Sequence, residues 1–191
     1  MVASLSSVPL SGDEERQIIE RVVSGHVDEY RFLVLAHQSK VFAVIMRSIG
    51  DECVAQELTQ DVFVRAFRSL SRFRHEARFS TWLVRIALNV THSYCDSKWY
   101  RRQRCTVPLD AMPIECGDSA TDGFDGFALK RLEWVITMLN GKLRDVFVLC
   151  ALEQRSYAEA AEILDVPLGT IRSRLNKARL EAQRLYFSEE L

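Results

Sequence analysis

The chain has 191 residues, 48% of them hydrophobic, with 8 Gly, 4 Pro and a formal net charge of −1. That length suits one domain or two small ones, and the apolar content suffices for a real core. No uninterrupted run of 18 apolar residues occurs, which argues against a membrane span, and the leading "MVASLSSVPLSGDEE" lacks the basic start and apolar stretch of a secretory signal. A cytoplasmic protein is expected. Few Gly and Pro, with many Leu, Ala, Arg and Glu, predict a mostly helical fold.

In chain order, "ERQIIERVVSG" sets Ile18, Ile19, Val22 and Val23 on one helical face and stops at Gly25, a residue suited to a C-cap. "VDEYRFLVLAHQSKVFAVIMRSIG" has apolar residues on more than one side, which predicts a central buried helix ended by Gly50. "DECVAQELTQDVFVRAFRSLSRF" opens on Asp51, a good N-cap. Val54, Leu58, Val62, Ala66 and Leu70 then recur every fourth residue, with Phe63 and Phe67 alongside. After the polar break "RHEAR", the stretch "FSTWLVRIALNVTHSYCDSKWY" predicts a fourth helix, capped by Ser80 or Thr81, with Trp82 and Ile86 in the core.

From Arg104 to about Phe124 the periodicity disappears, and Pro108, Pro113, Gly117 and Gly123 interrupt the chain. A loop of this length predicts an interdomain linker. Between Thr106 and Phe127 stand five acids (Asp110, Glu115, Asp118, Asp122, Asp125) and no Lys or Arg, which leaves +4 on the remainder. The near-neutral total is therefore the sum of an acidic segment and basic flanks, and it does not exclude nucleic acid.

Helical patterns resume with "FALKRLEWVITML" and "LRDVFVLCALEQ". "SYAEAAEIL", a turn at "DVP" and "LGTIRSRLNKARLEAQRL" then predict a helix–turn–helix, with small residues Ala158, Ala160 and Ala161 allowing a close crossing. The expected fold is all-α: two small helical domains, residues 13–103 and 127–187, joined by a flexible acidic linker at 104–126. The cysteines (Cys53, Cys95, Cys105, Cys116, Cys150) are scattered and form no CxxC, so neither a metal site nor a disulfide framework is expected. His92 and Cys95, three apart, are the only tempting ligand pair.

At ~100° per residue, Ile171, Leu175, Ala178, Ala182 and Leu185 form one apolar stripe of the last helix. Arg172, Ser173, Asn176 and Lys177 fall on the opposite side, in the half that enters the major groove in helix–turn–helix proteins. Arg pairs bidentately with guanine and Asn with adenine, while Ser and Lys hold phosphates. Arg179 and Arg184 extend the positive field. Arg174 lies nearer the apolar stripe, where an ion pair and a DNA contact are equally expected. A second polar stripe, Arg85, Asn89 and Ser93, runs at i, i+4 and i+8 along the fourth helix. Lys98, Arg101, Arg102 and Arg104, mixed with Trp99 and Tyr100, suit binding to a nucleic-acid backbone with stacking on bases.

The blocks "GDECVAQELTQDVFVRAFRSL", "FRHEARFSTWLVRIALN" and "SYAEAAEILDVPLGTIRSRLNKAR", in this order and spacing, resemble the signature blocks of extracytoplasmic-function (group 4) sigma factors of the sigma-70 family. Within that group they resemble the cobalt–nickel resistance members. The resemblance runs from about Glu15 to Leu185. Departures exist: Asn176 and Cys150 stand where some relatives carry an aromatic and an arginine, and Ser93 is shorter than the amide often found there.

The resemblance implies a sigma region 2 helical bundle and a sigma region 4 helix–turn–helix. It implies that Gln56, Glu57, Gln60 and Asp61 dock on the β′ clamp helices of core RNA polymerase, with the β flap a further contact. It assigns the −10 element and capture of a non-template base to Phe73, Arg74, Arg85, Asn89, Ser93, Lys98, Arg101 and Arg102. It assigns the −35 element to Tyr157, Arg172, Ser173, Asn176, Lys177 and Arg179. The partners it implies are core RNA polymerase, promoter DNA and an anti-sigma factor, often membrane-tethered, in a stress or metal-resistance regulon. No cofactor, metal or small-molecule substrate is implied. An autonomous helix–turn–helix regulator is the alternative, and a metal-sensing or catalytic protein around His92 and Cys95 a third reading. No nucleophile–base pair, phosphate loop or paired acid site stands out, so an enzyme is not expected.

Overall fold

A computed structural model describes residues 10–96 and 124–187, and no strand occurs among the described residues. Helix α1 (Gly12–Val23) starts on a capping box: Ser11 Oγ accepts from the Glu14 N–H at 3.3 Å, and the Glu14 carboxylate accepts from the Ser11 N–H at 2.8 Å. Its buried face is narrower than expected. Ile19 and Val22 are buried, whereas Val23 is exposed. The helix ends at Ser24, one residue before Gly25.

A 3₁₀ turn (Val27–Glu29) leads into α2 (Tyr30–Ile49), which Gly50 ends in the left-handed region at φ 73. By length and composition alone, this stretch would suit a membrane span. Its surroundings identify it as a core helix. It packs on α1 and on the two helices that follow it, and Leu33, Val41, Val44 and Ile45 are at most 1% exposed. Helix α3 (Glu52–Ser69) is capped by Asp51, whose Oδ1 accepts from the Val54 N–H at 3.0 Å. Leu58, Val62, Phe63, Ala66 and Leu70 are buried, but Phe67 remains 38% exposed, edge-on to Tyr30.

Helix α4 (Phe79–Cys95) departs from expectation at its start. Arg78 precedes it, and neither Ser80 nor Thr81 caps it. The early start places Phe79 and its i+4 neighbour Leu83 in the core, with Phe79 against His37 and Trp82. Trp82 and Ile86 are only partly buried. The reason is that α4 serves two cores. Leu83, Ala87 and Val90 face the first bundle, and Val84 and Leu88 belong to the second. Trp82 and Ile86 are left on the margin.

The second bundle begins with α5 (Phe124–Met138), so helix starts inside the 104–126 stretch; the remainder of that stretch lies outside the described residues. Asn140 caps α6 (Gly141–Phe147), which widens into a π turn at Val148–Leu152. A second capping box, Ser156 with Glu159, starts α7 (Tyr157–Leu164). Asp165 at φ 51 turns the chain into α8 (Leu168–Phe187). Ile171, Leu175, Ala178 and Ala182 are buried along α8, as the period predicts. The core of this bundle is shared: Val44, Val84 and Leu88 pack with Ile136, Val146, Leu149, Ala160, Ile163, Ile171 and Leu175.

Candidate nucleic-acid interface

The outward side of α8 carries the expected row. Arg172, Ser173, Asn176, Lys177 and Arg179 are all exposed, opposite the buried stripe. Ser173 Oγ donates back to the Thr170 carbonyl at 3.0 Å, which orients its hydroxyl. Arg174 is half-buried on the flank. Tyr157 is exposed at the first turn of α7, beside the capping box. There the Ser156 N–H, followed by its hydroxyl, holds the Glu159 carboxyl below its ordinary range. The helix–turn–helix thus offers an exposed polar face of long, hydrogen-bonding side chains. Cys150, in the π turn behind it, is half-buried, and burial pushes its thiol up.

The α4 stripe is less uniform. Asn89 and Ser93 are exposed, and Ser93 Oγ donates to the Asn89 carbonyl at 2.9 Å. Arg85 is half-buried and turned toward α7, where Nε donates to the Ile163 carbonyl at 3.0 Å and Nη2 to the Glu162 carbonyl. The preceding loop carries an aromatic anchor. Phe73 is half-buried, its ring 4.7 Å from His75, 5.1 Å from Trp82 and 5.7 Å from Phe79, centroid to centroid. It anchors the loop, while Arg74, His75 and Glu76 point outward. His75, not singled out from sequence, sits at φ 58, a backbone region unusual for a side chain other than Gly. Lys98, Arg101 and Arg102 lie outside the described residues.

On α3, Gln56, Glu57 and Gln60 are exposed, and Asp61 is half-buried with an ion pair to Arg65 at 2.8 Å. Gln56 Nε2 donates to Glu52 at 3.2 Å. Exposed Val64 and Phe67 add apolar area to the same helix. A polar face with an apolar component suits a protein partner better than a phosphate backbone.

A cleft of about 450 Å³ opens beside the junction of the bundles, lined by Arg85, Asn89, His92, Lys142, Asp145 and Arg174 among others. His92 Nε2 is 2.9 Å from Asp145, and Cys95 Sγ receives a hydrogen bond from Arg144 Nη1 at 3.1 Å. His92 and Cys95 are therefore engaged across the junction by separate residues of α6. No group of three or more His, Cys, Asp or Glu side chains suited to a metal ion occurs among the described residues.

Residues 33–101 match the sigma-70 region 2 family model, and residues 129–181 match that of sigma-70 region 4. The RNA polymerase sigma-H factor of Pseudomonas aeruginosa is 32% identical over 178 residues, covering 89% of this chain and 92% of the relative. The ECF RNA polymerase sigma-E factor of Escherichia coli (strain K12) is 31% identical over 173 residues, covering 86% and 90%. Among solved structures, CnrH in complex with the cytosolic domain of CnrY has a TM-score of 0.63 at 25% identity, covering 92% of this chain and 98% of that one. The sigma factor RpoE bound to the anti-sigma factor NepR from Bartonella quintana has a TM-score of 0.59 at 23% identity, covering 85% and 99%, a likeness of fold alone.

Proposed function

The chain belongs to the extracytoplasmic-function group of the sigma-70 family, and we propose that it directs core RNA polymerase to promoters through two separate readers. The observation that carries this reading is the exposed row Arg172, Ser173, Asn176 and Lys177, held by the buried Ile171, Leu175 and Ala178. That face reads the −35 duplex in the major groove, with phosphate contacts setting register. Residues 13–103 dock on polymerase and capture the −10 strand, with Asn89 and Arg85 as contacts and Phe73 supporting the loop beside them. Residues 104–126 connect the readers, and 127–187 form the −35 module.

The α3 face of Gln56, Glu57, Gln60 and Asp61 meets the β′ clamp helices, and the second bundle meets the β flap. Binding energy at unpaired −10 bases offsets the cost of melting. The chain supplies recognition, and polymerase supplies the chemistry. A membrane-tethered anti-sigma factor holds the chain inactive at the cytoplasmic side by covering the docking surfaces.

Run-off transcription on a promoter library tests the reading. Start sites aligned to shared −35 and −10 sequences are expected only when both core polymerase and the chain are present. Tight, sequence-specific duplex binding by the purified chain alone would instead identify an autonomous helix–turn–helix regulator.

A further inference from the structure

Helix α1 ends at Val23, before residue 33, where the region 2 match begins. It nonetheless reaches both ends of the loop at residues 73–78. At the near end it packs against the 3₁₀ turn Leu70–Arg72, and Leu70 shares a core with Ile19 and Val22. At the far end it acts through His37 of α2. The Glu15 carboxylate accepts from His37 Nε2 at 2.9 Å, and the His37 ring meets Phe79 edge-on, centroids 5.4 Å apart. Phe79 is the first residue of α4, where the loop closes.

His37 is 4% exposed, a costly place for an imidazole. A carboxylate oxygen only accepts, so the shared proton sits on Nε2. Nδ1 is buried and has no hydrogen-bond partner among the described residues. One polar contact, that with Glu15, therefore orients the ring. An apolar side chain would fill the site without leaving a buried nitrogen unpaired. What the histidine adds is direction: the bond to Glu15 fixes the ring plane, and the ring plane decides which edge Phe79 meets.

The contacts continue outward from Phe79. Its ring lies 5.7 Å from Phe73 and 5.6 Å from Trp82, and Phe73 lies 4.7 Å from His75. His75 stands at φ 58, a conformation that persists only where the surroundings over-determine it. Arg74, His75 and Glu76 are exposed at the tip. A chain of direct contacts thus runs from Glu15 on α1 to the outward side of the loop.

We infer that Glu15 and His37 are positioning residues for the −10 loop, through which α1 braces it in the shape that receives an unpaired base. Neither touches DNA. The inference rests on the −10 role of that loop. A braced loop has less freedom to lose when a base enters, and a loosened one binds in proportion to the fraction already in the competent shape.

Three full-length variants test the brace, each first checked for folding by circular dichroism: Glu15→Ala, Glu15→Gln and His37→Phe. Two affinities are measured: that of the chain for core polymerase, and that of the holoenzyme for a fluorescein-labelled DNA single strand. The strand carries the −10 sequence shared by the promoters that wild type selects. Glu15→Ala should weaken strand binding roughly tenfold, the scale of one hydrogen bond to a charged group, with core affinity unchanged. Glu15→Gln keeps an oxygen that accepts from Nε2 and should bind the strand within about twofold of wild type. His37→Phe keeps a ring against Phe79 but no donor, so it should match Glu15→Ala, and it serves if that chain does not fold.

Unchanged strand affinity in a folded Glu15→Ala or His37→Phe chain overturns the inference. An equal loss toward core polymerase overturns it too, since it would mean a general loosening of the bundle. Glu15→Gln binding as weakly as Glu15→Ala would remove the hydrogen bond as the cause. Wild-type holoenzyme that does not bind the strand at all would instead sink the −10 reading itself.

Discussion

His92 Nε2 lies 2.9 Å from Asp145, across the junction between α4 and α6. The hydrogen bond from the ring to Asp145 holds the His92 pKa above its ordinary value; burial and the Arg144 charge oppose this, while the charges of Asp145 and Asp96 add to it. Arg85, Lys142 and Arg174 line the same cleft as further cations. A group whose pKa is raised on folding stabilises the folded chain fully below its unfolded value, about 6.5 for His. That contribution is lost as pH rises through the raised folded value. The melting temperature of wild type should therefore exceed that of Asp145→Asn most in mildly acid buffer, with the gap narrowing as the ring deprotonates. A gap that widens with rising pH would contradict the pairing, as would a His92 ring titration that Asp145→Asn leaves unmoved.

Arg172 is exposed on the α8 row. If its guanidinium pairs with a base edge, Arg172→Ala should remove about 1–3 kcal/mol of discrimination at one −35 position. The measurement is holoenzyme affinity for promoters varied singly through the −35 element. Equal weakening on every sequence would reassign Arg172 to a phosphate.

How far the sequence could be read follows from the range of each interaction. The α8 stripe was legible because burial there obeys the helix period, and Ile171 to Ala182 are buried as the spacing requires. Both capping boxes were also legible in principle, as "SGDE" and "SYAE", since each is a contact over three residues. The spacing places Arg85 on a polar stripe of α4, yet its partner is a carbonyl 78 positions away. Helical spacing gives the face of a residue and not what covers that face. The same limit explains Trp82 and Ile86. The apolar pattern of α4 does not reveal that Val84 and Leu88 pack into another bundle.

Asn89 is exposed on α4, one turn from Arg85, with its backbone carbonyl receiving Ser93 Oγ. Its amide is free of any buried structural duty, so Asn89→Ala should leave folding within about 0.5 kcal/mol of wild type. Open-complex formation on the cognate promoter should fall, while affinity for core polymerase should stay the same. Permanganate reactivity of −10 thymines reports the melting step. Unchanged reactivity at matched holoenzyme occupancy would remove Asn89 from the −10 reader.

Arg144 is 6% exposed and donates to the carbonyls of Ile136, Thr137 and Leu139 at 3.2, 2.6 and 3.0 Å. It closes the C-terminal end of α5, where the Ile136 carbonyl also accepts from the Leu139 N–H at 3.2 Å and the last carbonyls lie beyond the run of helical amides. Met in its place fills similar volume but donates nothing, and each buried carbonyl left without a partner costs about 1–3 kcal/mol. Arg144→Met should therefore lower stability by roughly 2–5 kcal/mol, seen as an earlier urea midpoint with an unchanged slope. Arg144→Lys should recover only part of the loss, because one ammonium cannot reproduce a planar fork spread over three acceptors. Full recovery by Lys would mean that charge alone, and not the fork on α5, is what the buried guanidinium provides.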